Sequence, residues 1–171
     1  MYTSDFIAGF AHPLIGADHV LAMVAIGLWG VVAGGRALWV WPVAFVAMIL
    51  VGFATGALGL QVPFVEPAIG SSIVVLGLLV AFSVRVPVWW GAVIAGLFAF
   101  FHGHAHGTEA VSGAVDLIAY AGGFSLATAA LHVVGLGAGL LLARSSSGES
   151  LLRATGELVA VSGLALMAGI A

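Results

Sequence analysis

The sequence predicts an all-α membrane protein: six transmembrane helices in one polytopic bundle, with both termini outside the cytoplasm. Three observations carry this reading. Charge is scarce: of 171 residues, 63% are hydrophobic and only 6% are charged, whereas a soluble domain carries about 25% charged residues. Four arginines and seven carboxylates cannot clothe a soluble domain of this size, and a mean hydropathy of +1.25 makes lipid the solvent. The chain also divides into apolar runs long enough to cross a bilayer. Finally, every arginine falls in or beside the breaks on one side of the same alternate runs.

Breaks at clustered Gly, Pro and charge place the spans at 5–32, 38–60, 67–84, 88–108, 115–143 and 151–171. A hydrocarbon core of about 30 Å needs ~20 helical residues, so each run spans it, and the first and fifth are long enough to tilt or break. No run alternates as a strand does, and only helices and closed barrels satisfy their backbone groups in lipid. Arg36, Arg85, Arg144 and Arg153 all lie in or beside loops on one side. Cytoplasmic loops collect Arg, so those loops face inward. Glu66, Glu109 and Asp116 then lie outside, as solvated loop carboxylates, with Pro67 starting the third span. Apolar sequence begins almost at Met1 with no basic segment or cleavage pattern. The first helix is therefore expected to be retained, or an upstream signal to be missing. The RSSSGES segment at 144–150 reads as a short polar loop, and residues 1–171 as a single domain.

Several function classes are excluded. There is no cysteine, hence no disulfide, thiolate ligand or thiol nucleophile. Without lysine or any basic patch, nucleic acid is not a credible partner. Without a GxxxxGK[ST] loop, no nucleotide drives the protein directly. Gly30/Gly34, Gly52/Gly56 and Gly135/Gly139 have the spacing that brings helix backbones into contact, and they are assigned to packing. Trp39, Trp41, Trp89 and Trp90 gather at the inner ends of spans and read as interface anchors. Glu157 is placed in the first turn of the last span, where a carboxylate suits the helix dipole.

Against this apolar background, the polar residues stand out. His12, Asp18 and His19 fall within the first span. Seven residues apart, the two histidines share a face of a continuous helix, at about 10 and 20 Å along its axis from Asp5. Pro13 and Gly16 between them invite an irregularity that frees backbone carbonyls. His102 and His106 are i, i+4, the spacing that lets two imidazoles bind one ion, and Glu109 continues their stripe. His104 points the opposite way and reads as a residue of the outer mouth. His132 lies halfway down the fifth span, one turn after Thr128.

Ionisable groups at the centre of a membrane helix cost about 2.5–3.5 kcal/mol each for Asp, Lys and Arg, so they face a cavity or a partner. The bland alternative is interhelical hydrogen bonding, strongest for the lone His132. The sharper one is metal binding. Imidazole with carboxylate suits Ni²⁺, Co²⁺ or Zn²⁺ and not Cu(I), and the sequence does not choose among the three. A second function class is an intramembrane zinc hydrolase acting on a lipid amide or ester, with Ser125 and Asp116 as the only tempting additions. A third is a bis-histidine haem protein.

The run His12-Pro13-x-x-Gly16-x-Asp18-His19-x-Leu21, followed by Ala22-Met23 and Gly27-Leu28-Trp29, resembles the first-helix signature of the HupE/UreJ family of hydrogenase and urease accessory membrane proteins. Phe101-His102-Gly103-His104-Ala105-His106-Gly107-x-Glu109 resembles its second signature, and Gly123-Phe124, Ala127-Thr128 and Leu131-His132 its fifth-helix pattern. The resemblance covers nearly the whole chain. It implies a six-helix secondary permease for Ni²⁺, with Co²⁺ as a second cargo, in the bacterial inner membrane, not an enzyme. It implies metal-site roles for His12, Asp18, His19, His102 and His106, and less directly for Glu109 and His132, with His104 at the mouth. Members are often made with a cleavable signal peptide, which this sequence does not display. The coupling ion and any homo-oligomer are left open.

Overall fold

The first apolar run does not form one helix. In a computed structural model, which describes residues 2–170 and side chains from Ser4 onward, it is split at Gly16 into α1 (Tyr2–Ile15) and α2 (Ala17–Ala33). The two halves are bent by 80°. Pro13 removes a backbone donor in the last turn of α1, and Gly16 takes an extended conformation (φ −77°, ψ 114°) that no helix continues through. Distances along one continuous axis therefore do not place His12 and His19. One residue ends α1 and the other begins α2.

The remaining runs each give one helix: α3 (Ala37–Ala57), α4 (Val65–Ala81), α5 (Val88–Gly113), α6 (Leu117–Ala143) and α7 (Gly148–Met167). Among the described residues all regular structure is helical. Helices α3, α5, α6 and α7 are long and apolar enough to cross a membrane, and the bent α1–α2 pair makes a fifth such unit. α4, at 17 residues, is a shorter apolar helix. Leu97, Val133 and Leu158 are each more than half exposed on the outer surface of the bundle. Such apolar faces are lipid-facing surfaces, not errors of folding.

Helix ends depart from the sequence reading in three places. α4 begins at Val65, so Glu66 sits in its first turn and not in a loop. α5 runs on to Gly113, so Glu109 is a helical residue one turn beyond His106. α7 begins at Gly148, so Glu149, not Glu157, occupies its first turn. In each case a polar residue near the membrane boundary is helical, because the ladder extends past the apolar stretch.

Packing follows the glycines. α3 lies along α5, α4 along α7, and both α1 and α2 along α6. A methyl group on Gly52 would overlap the Phe100 carbonyl, and one on Gly103 the Ile49 carbonyl, so α3 and α5 touch backbone to backbone. Gly135 meets Val24 on α2 in the same way. Gly34 serves differently: its φ of 73° ends α2, and nothing lies near where its side chain would be.

At the end carrying the arginines, the rings of Trp29 and Trp41 pack with centroids 4.0 Å apart and planes tilted by 32°. Their indole nitrogens donate to the carbonyls of Val84 (2.9 Å) and Val88 (2.8 Å), and Arg153 Nε donates to Ala81 O at 3.0 Å. Trp41 is thus fully buried, and only Trp39, Trp89 and Trp90 remain exposed as anchors would be. Buried indoles need acceptors, and the linker before α5 and the first residue of α5 supply them.

Candidate metal centre

The opposite end gathers four histidines from three helices. The His106 ring of α5 lies between that of His12 on α1 (centroids 4.7 Å apart) and that of His19 on α2 (4.2 Å). His19 in turn lies 4.8 Å from His102, one turn deeper on α5. The break at Gly16 makes this convergence. On a straight helix His12 and His19 would stand about 10 Å apart along the axis, and His106 could not touch both.

Neighbouring groups fix the tautomers of two of these rings. His19 Nδ1 lies 2.8 Å from Asp18 Oδ1, which also accepts the His19 backbone N–H at 2.9 Å. A carboxylate accepts, so Nδ1 carries the proton and Nε2 presents its lone pair. Ser72 Oγ donates its single proton to Ile69 O at 2.6 Å, so it accepts from His102 Nε2 at 3.0 Å and leaves His102 Nδ1 free. His19 Nε2, His102 Nδ1 and both nitrogens of His106 are buried without a hydrogen-bond partner. Buried imidazole nitrogens are ordinarily paired. Unpaired imidazole nitrogens on rings whose centroids lie 4.2–4.8 Å apart are donors that a divalent cation would satisfy.

Glu109 closes the group toward the surface. Its Oε2 is 3.0 Å from His12 Nε2 and 3.8 Å from His106 Nδ1. One ligand atom from each of His12, His106 and Glu109 falls within 4.8 Å of the others. Asp18 stands behind His19 as an orienting carboxylate, in the manner of the second shell around metal-bound histidines. Asp18 also opens α2, where a negative charge suits the helix N-terminus.

A cavity of about 310 Å³ opens onto this group, lined by His12, Asp18, His19, His106 and Glu109 together with Glu66. The sequence places Glu66 in an outer loop and does not assign it to the site. The signal was a carboxylate just ahead of an apolar run, where the first turn of a helix favours it. Ser72 also goes unassigned, being an ordinary small polar residue until its contact with His102 is seen.

Two histidines lie apart. His104 is buried against α3, its Nδ1 3.1 Å from Thr55 Oγ1. It borders a separate cavity of about 570 Å³ under residues 59–63. It is thus a buried residue held by α3 and not a freely solvated one at the mouth, and that cavity is where it meets open space. His132, on α6, packs against Phe45, whose ring lies 4.9 Å from it and 6.1 Å from His102.

The additions that a hydrolase would use do not join the cluster. Asp116 caps α6, accepting from Ile118 N and Ala119 N, and its own N–H donates to Asp5 Oδ2 at 2.9 Å. Asp116 is therefore a structural cap and not a solvated loop carboxylate. Ser125 does not line the histidine cavity. Ring contacts of 4.2–4.8 Å between successive imidazoles leave no slot for a porphyrin plane.

No solved structure matches the chain. Protein HupE of Rhizobium leguminosarum bv. viciae is 41% identical over 169 residues, covering 99% of this chain and 87% of that protein. The profile of the family described as HupE / UreJ protein matches residues 1–166. The chain therefore belongs to the HupE/UreJ family.

Proposed function

We propose that this protein is a secondary permease for a divalent transition metal, Ni²⁺ foremost and Co²⁺ next, in the bacterial inner membrane. The observation that carries the reading is the contact series His12–His106–His19–His102, with its unpaired nitrogens, inside an otherwise apolar bundle. Nitrogen and oxygen donors without thiolate suit a borderline ion. Family membership supports the same role.

In this reading the chain crosses the bilayer six times, α1–α2 counting as one broken span and α4 as a short one. The end with the four arginines faces the cytoplasm, in keeping with the positive-inside rule, and the histidine cavity opens outward. Glu66 and Glu109 attract the hydrated cation. His12, His106 and Glu109 replace part of its water, and the ion then moves onto His19 Nε2, His102 Nδ1 and His106. Asp18 and Ser72 hold the two deeper rings with their lone pairs inward, so little reorganisation accompanies the transfer. His104 lies off this route.

The reading is tested in liposomes containing the purified protein, with Ni²⁺, Co²⁺ or Zn²⁺ added outside and a metal-sensing dye within. Saturable uptake that His106→Ala removes is the expected result. Uptake no faster than in protein-free liposomes would overturn the proposal.

A further inference from the structure

The histidine cluster does not exhaust the unpaired polar atoms of the bundle. α6 turns a stripe of four residues inward at helical spacing: Tyr120, Phe124, Thr128 and His132, all buried. The first two follow the outer cluster, with Tyr120 6.2 Å from His12 and Phe124 4.2 Å from His106. The last two lie deeper, His132 about 12 Å along the helix beyond Phe124.

Both nitrogens of His132 are buried without a partner, and so is Thr128 Oγ1. His132 is 1% exposed and Thr128 0%. The hydroxyl is notable because a helical threonine readily bonds the carbonyl one turn back. Thr55 and Ser72 both donate to such carbonyls here, and Thr128 does not. Three unsatisfied polar atoms on one turn of one helix are costly in an apolar interior unless something visits them. Between this turn and the outer cluster stands the fully buried ring of Phe45, in contact with His102 on one side and His132 on the other.

We infer that His132 and Thr128 form a second, inner station for the cation, separated from the outer histidines by the ring of Phe45. The inference rests on the permease reading and extends it inward. An ion leaving His102 passes the Phe45 edge and exchanges one imidazole for another, with the Thr128 hydroxyl as an oxygen donor. Two dications so close in a medium of low dielectric repel each other strongly, so the stations fill in turn. Each chain therefore holds one ion at a time. The inner station then governs passage and contributes little to binding from outside.

The test uses the full chain, comparing wild type with His132→Leu and Thr128→Val. The second removes only the hydroxyl and keeps the shape. Ni²⁺ binding is measured by equilibrium dialysis in nanodiscs, and Ni²⁺ influx in liposomes. Binding within twofold of wild type, with influx reduced at least tenfold by His132→Leu and severalfold by Thr128→Val, is expected. Influx within twofold of wild type in both variants would overturn the inner station. So would loss of binding in step with influx, which marks His132 as a packing residue. If wild type itself neither binds nor admits Ni²⁺, the permease reading fails first, and the two failures are thereby distinguished.

Discussion

The imidazole of His19 lies 4.2 Å from that of His106, centroid to centroid, with Asp18 bonded to its Nδ1 at 2.8 Å. The carboxylate holds the proton on Nδ1 and leaves the lone pair on Nε2, which is buried without a hydrogen-bond partner. A buried polar pair of this kind orients a donor before the ion arrives. The central relation of the site is therefore three residues deep: carboxylate, oriented imidazole, receiving imidazole.

The orienting groups are separable from the ligands by experiment. Asp18→Asn keeps the shape but makes the acceptor ambiguous, and Ser72→Ala removes the group that sets the His102 tautomer. Each is expected to weaken Ni²⁺ affinity about 10–100-fold, the usual cost of losing an outer-shell partner. The Co²⁺ absorption spectrum should keep the same coordination number in both. Isothermal titration and visible spectroscopy check this pair of expectations, and a lost coordination site in Asp18→Asn would make Asp18 a ligand instead.

Gly16 offers a sharper probe of the broken helix. Its φ suits any residue, yet a methyl group there would meet Asp18 Oδ1 at 2.8 Å and His19 Nδ1 at 3.0 Å. Gly16→Ala therefore presses on the Asp18–His19 bond without disturbing the core. Metal affinity is expected to fall about tenfold, as for a second-shell loss, with thermal stability nearly unchanged. Equal affinity in Gly16→Ala and wild type would show that this bond does not matter to the ion.

Much of this architecture is legible from the sequence, and the exceptions have physical causes. Hydropathy locates the helices because lipid leaves the backbone no alternative. His102, His106 and Glu109 are legible as one stripe because α5 is continuous through Gly113. His12 and His19 come together for a different reason from their spacing. Pro13 and Gly16 announce an irregularity, but only packing on α6 sets an 80° bend. Glu66, Ser72 and Phe45 reach the site through contacts between helices, and no local pattern encodes those. Trp41 resembles its exposed neighbours in sequence and differs only in facing Trp29.

Protons compete with the cation for the same nitrogens. A protonated imidazole cannot ligate, so each histidine recruited must be neutral. Affinity is therefore expected to be full above the imidazole titration range and to fall as the pH drops through it. Ni²⁺ uptake measured from pH 8 to pH 5 checks the sign, and a flat profile would contradict histidine ligation.

Close backbone contact between α3 and α5 gives a stability expectation independent of metal. Gly52→Val drives a branched side chain into the Phe100 carbonyl. The cost of such overpacking is about 1–3 kcal/mol. A lower melting temperature in detergent by intrinsic fluorescence is the expected outcome, and an unchanged value would mean that α3 and α5 stand farther apart than described.

The most direct test of the central claim is X-ray absorption spectroscopy on the Ni²⁺-loaded protein. A shell of nitrogen and oxygen donors, with the outer-shell scattering of two or more imidazoles that His106→Ala diminishes, is the expected result. A spectrum of water and carboxylate oxygens alone, unchanged by His106→Ala, would contradict the claim that converging histidines hold the ion.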